Sequence, residues 1–206
     1  MPEGSGRIVR AFTEVSLQDV TKSTTPDGSD CVRGHAPGPA GAPTVRLYCH
    51  YDVQPPLGED AWRTPVWELT EGEDSRWHGR GTADCKGNVV VHLTALRALK
   101  AVDGSFPVNI KLIIEGSEEQ GTGGLEAYVP LNADLLRADT ICVVDTGHAA
   151  LGQPTLSTSL RGVRDVDLTL DALASAMHLS WWAAARSRTC CGRASTRPRS
   201  ASTSRR

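Results

Sequence analysis

Three short apolar runs in this sequence each stop at an acidic residue or a histidine. Residues 44–49 lead to His50, residues 108–114 lead to a group of glutamates, and residues 140–144 lead to Asp145. Runs of this length and composition predict buried strands, and the carboxyl ends of parallel strands lie at one edge of a sheet. The sequence therefore predicts an α/β fold with a polar site at that edge.

Helical patterns separate these strands. Residues 88–102 carry apolar side chains near helical spacing, and residues 123–129 predict a short second helix. His92 lies inside the first of these and is interpreted as a core histidine rather than a ligand. Residues 7–20 predict a short helix or strand, followed by a loop or hairpin over residues 21–43. The whole pattern is typical of a mixed sheet flanked by helices.

The last part of the chain differs from the rest. Residues 155–160 and 163–170 read as strands around a turn at Arg161, as if a second, lid-like unit begins there. After Leu179 the apolar periodicity ends, and the composition does not predict a packed core. We therefore expect three parts: a catalytic-type domain at 1–157, the beginning of an α+β lid or dimerisation domain at 158–178, and an unstructured Arg-rich tail at 179–206.

Two further segments stand out. Residues 54–77 hold three Trp and three Pro, which is typical of a long ordered loop with a functional role. Residues 77–87 place Asp84 among three glycines, directly before the helical run at 88–102. An aspartate at this position is commonly an N-cap, but the acidic strand ends elsewhere favour a role for Asp84 in a binding site.

Charge is distributed unevenly along the 206 residues. The chain has a net charge of −2, but residues 181–206 contain seven Arg and no acid, so residues 1–180 carry −9. An acidic body suits cations better than nucleic acid. No apolar run is long enough to span a bilayer, and the first residues resemble no signal peptide, so we expect a cytoplasmic protein without membrane contact.

The six cysteines form no C-x-x-C pair and are expected to be reduced and mainly structural. Cys49 and Cys142 lie inside strand-like runs. Cys85, next to Asp84, could be a nucleophile, but the sequence places no histidine to activate it. A space-filling role is the better interpretation of Cys85.

A histidine surrounded by carboxylates is a ligand set for a borderline divalent ion such as zinc. A carboxylate with two oxygens can bridge two ions, which together activate a water for amide hydrolysis. Such chemistry also needs a carboxylate that carries protons and is not itself a ligand. The adjacent Glu118 and Glu119 can divide these two functions.

These residues fall in motifs that resemble the aminoacylase, carboxypeptidase and carnosine-dipeptidase family of co-catalytic zinc peptidases. The resemblance extends from about residue 44 to residue 170, and the dipeptidase branch is the most similar because of the H-Y-D-V-Q-P segment. The ordered set is specific where each motif alone would be weak. The motifs are H-Y-D at 50–52, G-R-G-T-A-D-C-K-G at 79–87, E-G-S-E-E-Q-G at 115–121, and D-T-G at 145–147 with L-R-G at 160–162.

The resemblance implies a role for each residue of the set. It implies that one zinc is bound by His50 and Asp145, that Asp84 bridges both zinc ions, and that Glu119 binds the other. Glu118 would be the general base. By the same resemblance, Asp52 would orient the His50 ring, and the peptide bond between Asp84 and Cys85 would be cis.

The sequence also departs from the family pattern. Family members continue for about another domain, form homodimers and supply a late histidine to the second zinc site. This chain has no candidate for that histidine, and we expect a truncated form with one well-formed site, one weak site and little activity. The lid histidine that contacts substrate has His178 as its counterpart.

Three functions are thus in competition. The favoured one is hydrolysis of a dipeptide or short peptide by a zinc-activated water. The same metal site could instead serve N-acyl amino acids, because the loop around Trp62 and Trp67 and the lid would decide the substrate. The third is an inactive, truncated metal-binding fragment.

The Arg-rich tail generates a prediction about the coding DNA. Residues beyond about 177 have the Trp, Arg, Ala, Ser and Cys content that GC-rich codons produce in a shifted reading frame. We expect that a single-base shift near codon 177 restores a lid-like sequence, which sequencing the coding DNA would reveal. If no shift does so, the tail is authentic and could contact nucleic acid or an acidic surface through its seven arginines.

Overall fold

The computed structural model describes residues 2–73, 75–150, 152–160 and 162. The chain divides at Thr158: the described residues up to Thr158 form one compact unit, and of the second unit only 159, 160 and 162 are described. The described residues contain four α-helices and seven β-strands. In chain order they are α1 (Pro2–Glu14), β1 (Gln18–Thr24), β2 (Asp30–Ala36), β3 (Thr44–His50), β4 (Thr70–Glu71), β5 (Trp77–His78), α2 (Lys86–Asp103), β6 (Asn109–Glu115), α3 (Gly123–Leu131), α4 (Ala133–Leu136) and β7 (Thr140–Val143).

Five of the strands form a mixed sheet in the order β1-β2-β6-β3-β7. The first three pair antiparallel, and β6, β3 and β7 run parallel. The register places His50 directly opposite Glu115. The predicted α/β fold with a mixed sheet flanked by helices is confirmed, and the polar strand ends do meet at one edge.

Each face of the sheet has its own apolar cluster. On one face, α1 and α2 cover the sheet through Phe12 and Leu96, which pack with Leu112 and Ile114. On the other face, Ile113 packs against side chains of α3 and α4. Alternation of side chains along β6 produces this division. The sheet is therefore the middle layer of three.

The sequence left open whether residues 7–20 form a helix or a strand, and whether residues 21–43 form a loop or a hairpin. The structure decides both questions. The amphipathic pattern at 7–20 is divided between the end of α1 and the start of β1, because the chain turns between Glu14 and Gln18. The stretch at 21–43 contains a hairpin, in which β1 pairs with β2. His92, as predicted, is a core residue: it is buried, and its Nε2 lies 3.1 Å from the carbonyl oxygen of Tyr48.

In the long loop at 54–77, Trp62 contacts both the loop and the segment that follows it. The guanidinium of Arg80 lies 5.0 Å from the ring centre of Trp62, and the indole N–H of Trp62 donates to the carbonyl of Pro56 at 3.1 Å. The loop closes in the two-stranded β4–β5 hairpin. Within the described part of the chain, no helix has the length and apolar character that crossing a bilayer requires.

One predicted strand differs in burial, and another is absent. The run at 140–144 does form a strand, β7, but every residue of β7 is exposed, including Ile141 and Val143 at 53% and 52%. The reason is that, among the described residues, β7 is an edge strand that pairs with β3 alone. Residues 155–160 form no strand, since none of the described residues pairs with them; 163–170 lie outside the described residues.

The loop between β1 and β2 docks against the first turn of α3. The carboxylate of Asp27 accepts hydrogen bonds from the Thr25 hydroxyl at 2.7 Å and the Ser29 N–H at 2.9 Å, and these bonds hold its pKa well below the usual range. A Cβ added at Gly124 would collide with this carboxylate, whereas a Cβ at Gly123 would meet nothing within 4 Å. The close approach of Asp27 to α3 therefore requires glycine at position 124 but not at position 123.

Neighbouring alanine substitutions should therefore have opposite effects on stability. We expect Gly124→Ala to lower the free energy of unfolding by about 1–3 kcal/mol, because the Asp27 side chain is already held by two hydrogen bonds and cannot easily move away. The matched control, Gly123→Ala, should leave stability unchanged or raise it by up to about 1 kcal/mol. Urea unfolding followed by circular dichroism measures both; equal effects would contradict the proposed docking contact.

Candidate metal centre

The site is assembled from four segments at one edge of the sheet. His50 is the last residue of β3, Asp145 follows β7 by two residues, and Glu118 lies in a single 3-10 turn (Glu118–Gln120) just after β6. Since β6, β3 and β7 are parallel, their carboxyl ends meet. Asp84 comes from a separate segment, the turn immediately before α2.

Three carboxylates converge on one ring nitrogen of His50. Nε2 lies 3.1 Å from Oδ1 of Asp84, 3.3 Å from Oδ1 of Asp145 and 3.9 Å from Oε2 of Glu118. The His50 ring is 1% exposed, whereas the Asp84 side chain is 69% exposed. The site therefore has a buried histidine at its base and carboxylates that open towards solvent.

The other ring nitrogen of His50 contacts Asp52. Nδ1 lies 3.1 Å from Oδ1 of Asp52, a buried residue whose two carboxylate oxygens also accept the backbone N–H groups of Glu118 (3.2 Å) and Glu119 (3.0 Å). The contact that the sequence predicts between Asp52 and His50 is thus present. It leaves Nε2 to face the carboxylates.

The turn before α2 depends on close backbone packing. Gly81 has a φ of 83°, and the N–H of Lys86 donates to its carbonyl at 2.8 Å. A Cβ at Gly87 would collide with the carbonyl oxygen of Thr82. The glycines that flank Asp84 in the sequence are therefore required by the turn that presents it.

The peptide bond between Asp84 and Cys85 is cis, as the resemblance implies. Cys85 is fully buried, and its thiol donates to the backbone carbonyl of Asp52 at 2.8 Å. Its sulfur also lies within 4.8 Å of ligand atoms of His50 and Asp84. The structure does place a histidine, His50, in hydrogen-bond contact with Cys85, which the sequence alone did not predict. Burial nevertheless raises the pKa of the thiol, His50 opposes that rise only in part, and the Cys85 proton is donated to Asp52, so we interpret Cys85 as a packing neighbour.

Glu119 lies beside the convergent group, which consists of the Asp84, Asp145 and Glu118 carboxylates around Nε2 of His50. It is not part of that group. No ion pair joins it to His50 among the described residues; its Oε2 accepts from the side-chain amide of Gln54 at 2.9 Å. Its backbone N–H is held by Asp52. His178, the remaining predicted site residue, lies outside the described residues.

Sequence reasoning gave no role to three residues that the structure places around the site. Gln54 binds Glu119, and the side-chain amide of Asn88 lies 3.4 Å from Oδ1 of Asp145. Glu115 is 1% exposed, and burial raises its pKa to about 7, with a hydrogen bond to Thr122 opposing the rise. The sequence places Glu115 at a strand end and in the E-G-S-E-E-Q-G motif, but it does not show that this side chain is buried behind the site.

The electrostatics of the site favour a cation. Burial lowers the pKa of His50, but hydrogen bonds to Asp52 and Cys85 and the nearby acidic groups outweigh it and raise the pKa to about 11. Burial raises the pKa of both Glu118 and Asp145, and His50 opposes that rise. Carboxylates held together in this way repel one another, and a positive charge among them relieves the repulsion.

The donor set fits a divalent metal ion. One imidazole nitrogen with several carboxylate oxygens is a common set for zinc, and the Asp52 carboxylate behind the ring is a usual companion of a metal-binding histidine. His50, Asp84 and Asp145 can hold one ion with small side-chain movements. Glu119 would have to leave Gln54 to take part in a second site.

Known proteins of one peptidase family resemble this chain. The model of Peptidase family M20/M25/M40 matches residues 46–194. A cysteinylglycine-S-conjugate dipeptidase of Corynebacterium striatum is 40% identical over 184 residues, covering 89% of this chain and 40% of that protein. The chain therefore spans less than half the length of this relative.

Two solved structures resemble the fold. Human carnosine dipeptidase 1 matches 71% of this chain and 34% of its own, with a TM-score of 0.60 and 28% identity. The M20 family metallo-carboxypeptidase Sso-CP2 of Sulfolobus solfataricus matches 71% of this chain and 33% of its own, with a TM-score of 0.62 and 28% identity.

The position of Asp52 predicts how metal binding responds to its replacement. Asp52→Asn keeps the size of the side chain, but an amide group cannot accept both backbone N–H groups while holding the His50 ring. We expect zinc affinity to fall about 10- to 100-fold and the free energy of unfolding to fall by about 2 kcal/mol. Competition with a chromophoric chelator measures the first, and urea unfolding measures the second.

The matched control is Asp103→Asn, which removes an exposed carboxylate at the end of α2. It should leave both the zinc affinity and the free energy of unfolding nearly unchanged. Unchanged zinc affinity in Asp52→Asn would show that the buried carboxylate does not organise the site.

Proposed function

Since the chain belongs to Peptidase family M20/M25/M40, we propose that it carries the metal centre and proton-transfer group of a dipeptidase. The observation that carries this proposal is the convergence of Asp84, Asp145 and Glu118 on Nε2 of a buried histidine. The reaction is hydrolysis of the amide bond of a dipeptide or short peptide.

We assign the metal as zinc, with two ions as the resemblance implies. His50 and Asp145 would hold one ion, Asp84 would bridge, and Glu119 would bind the other after release from Gln54. When bound, such ions polarise the scissile carbonyl and make a water acidic enough to react near neutral pH. Asp52 keeps the His50 ring oriented throughout, because its contact with Nδ1 is on the far side of the ring.

Glu118 is proposed as the general base. Its carboxylate lies at the rim of the convergent group, 3.9 Å from Nε2 of His50, and is one-third exposed, so that it can reach a water. Its backbone N–H is held by Asp52, which fixes the turn from which the side chain projects. The carboxylate takes a proton from the attacking water and delivers it to the leaving amine.

A small peptide is the substrate class that the relatives support. Cysteinylglycine S-conjugates are named for the Corynebacterium protein and carnosine for the human one. In this chain a cleft of about 630 Å³, lined in part by Trp62 and Trp77, adjoins the Asp84 turn through Ala83. We propose that substrate side chains use this cleft, and that the full-length protein is a homodimer.

Replacement of the proposed base tests the mechanism. We expect Glu118→Gln to lower turnover of dipeptides by at least about 100-fold, because the proton acceptor is lost. Zinc content should stay at the level of the unsubstituted chain, since Glu118 is not assigned as a ligand. Amine release from cysteinylglycine and carnosine measures the first quantity, and elemental analysis of the purified protein measures the second.

The control is Glu126→Gln, which removes an exposed carboxylate on α3 and should leave both readings unchanged. Full activity in Glu118→Gln would exclude Glu118 as the base. Turnover of N-acetyl amino acids but not of dipeptides would assign the N-acyl amino acid amidohydrolase alternative. If the unsubstituted chain binds zinc tightly but hydrolyses none of these substrates, it is a metal-binding fragment.

A further inference from the structure

Basic side chains lie side by side on the sheet, away from the metal centre. The strand register places His35 opposite Lys111 and Lys111 opposite Arg46, so that three basic residues form one row across β2, β6 and β3. Strand alternation puts this row on the same face as Ile113, the face that α3 and α4 cover. Arg33 lies on this face too, two residues before His35.

These cations have few partners of opposite charge. Among the described residues, no carboxylate lies within ion-pair distance of Arg33, Lys111 or Arg46. The Nε atoms of Arg33 and Arg46 are buried and make no hydrogen bond. Lys111 donates to the backbone carbonyls of Arg137 at 2.7 Å and Asp134 at 3.5 Å, and Nδ1 of His35 lies 3.8 Å from the exposed carboxylate of Asp19.

This arrangement is unfavourable in the isolated chain. Like charges directly opposite each other on neighbouring strands repel, and a partly buried guanidinium without an anion loses hydration that nothing replaces. The burial of Arg46 lowers its pKa, as expected for a desolvated cation. An anion placed among these side chains would reverse both effects.

A cavity lies beside the row. It has a volume of about 420 Å³ and is bounded by β2, the first half of β6 and α4, with Arg33, His35 and Lys111 among its lining residues. Arg46 is the neighbour of Lys111 on the next strand. The cavity is near the amino end of β6, whereas His50 and Glu115 are at the carboxyl ends of their strands, so the two sites are at opposite ends of the sheet.

One carboxylate also lines this cavity. Asp134 lies in the wall formed by α4, but its side chain is 99% exposed and lies 3.3 Å from the guanidinium of Arg137. Its charge is therefore directed outward and is partly balanced. The cations remain in excess within the cavity.

We propose that this cavity binds the oxyanion group of a small molecule, a carboxylate or a phosphate, through Arg33 and Lys111 with Arg46 beside them. A volume of this size suits a small metabolite rather than a folded partner. The planar fork of arginine matches both kinds of oxyanion. Binding does not depend on the metal centre, so it can be tested in the metal-free chain.

The probes are inorganic phosphate and citrate, each compared with sodium chloride at equal ionic strength. Metal is first removed by chelation and dialysis, so that neither probe can bind to zinc. We expect both the thermal midpoint and the ³¹P line width to change with phosphate concentration in the unsubstituted chain. Isothermal calorimetry then gives the dissociation constants, and the tighter of the two probes identifies the preferred oxyanion.

Charge-removing variants locate the site. Arg33→Gln and Arg46→Gln should each weaken binding at least about tenfold. In chloride alone they should raise the thermal midpoint, because an unpaired cation has been removed. Arg33→Lys keeps the charge but not the planar fork, so it should bind phosphate more tightly than Arg33→Gln and more weakly than the unsubstituted chain. The matched control Arg97→Gln removes an exposed arginine of α2 and should bind phosphate as the unsubstituted chain does.

Two results would overturn the proposal. One is an identical response of the unsubstituted chain to phosphate, citrate and chloride. The other is an equal loss of binding in Arg97→Gln and the cavity variants, which would indicate general attraction to the protein surface.

Discussion

The buried carboxylate of Asp52 connects the parts of the site. One of its oxygens holds the His50 ring, and both accept backbone N–H groups from the turn that carries Glu118 and Glu119. Its backbone carbonyl also receives the thiol of Cys85, next to Asp84. A single residue thus links the ends of β3 and β6 with the turn before α2. A buried charge is stable in such a place only because every oxygen has a donor.

The position of the site at the edge of the sheet has consequences for its ligands. Asp145 follows β7, which pairs with β3 alone in the described part of the chain and is exposed along its length. The carboxylate is nevertheless held near His50, and its Oδ1 atom also lies 3.4 Å from the side-chain amide of Asn88 in α2. The histidine at the base of the site is buried, while the strand that supplies Asp145 is an edge strand among the described residues, and strand edges are sites of pairing.

The two ends of the same sheet have opposite character. Carboxylates gather where β6, β3 and β7 end, and basic residues line the α4 side near the amino end of β6. Neither group is neutralised within the described residues: the acids share one histidine, and the arginines have no carboxylate. Local charge excess of this kind is unfavourable for folding, and it is typical of places that bind an ion or a ligand.

Much of the site could be predicted from the sequence because short-range patterns determine it. A run of apolar residues that stops at His50 or Asp145 specifies a strand and its polar end, and the glycines around Asp84 specify a turn. Whether such ends meet depends on which strands pair and in what register. The same pairings determine the exposure of β7 and the row formed by Lys111 and Arg46. They also bring Gln54 and Asn88 to their contacts in the site. Those pairings form between residues far apart in the chain, and only the tertiary structure decides them.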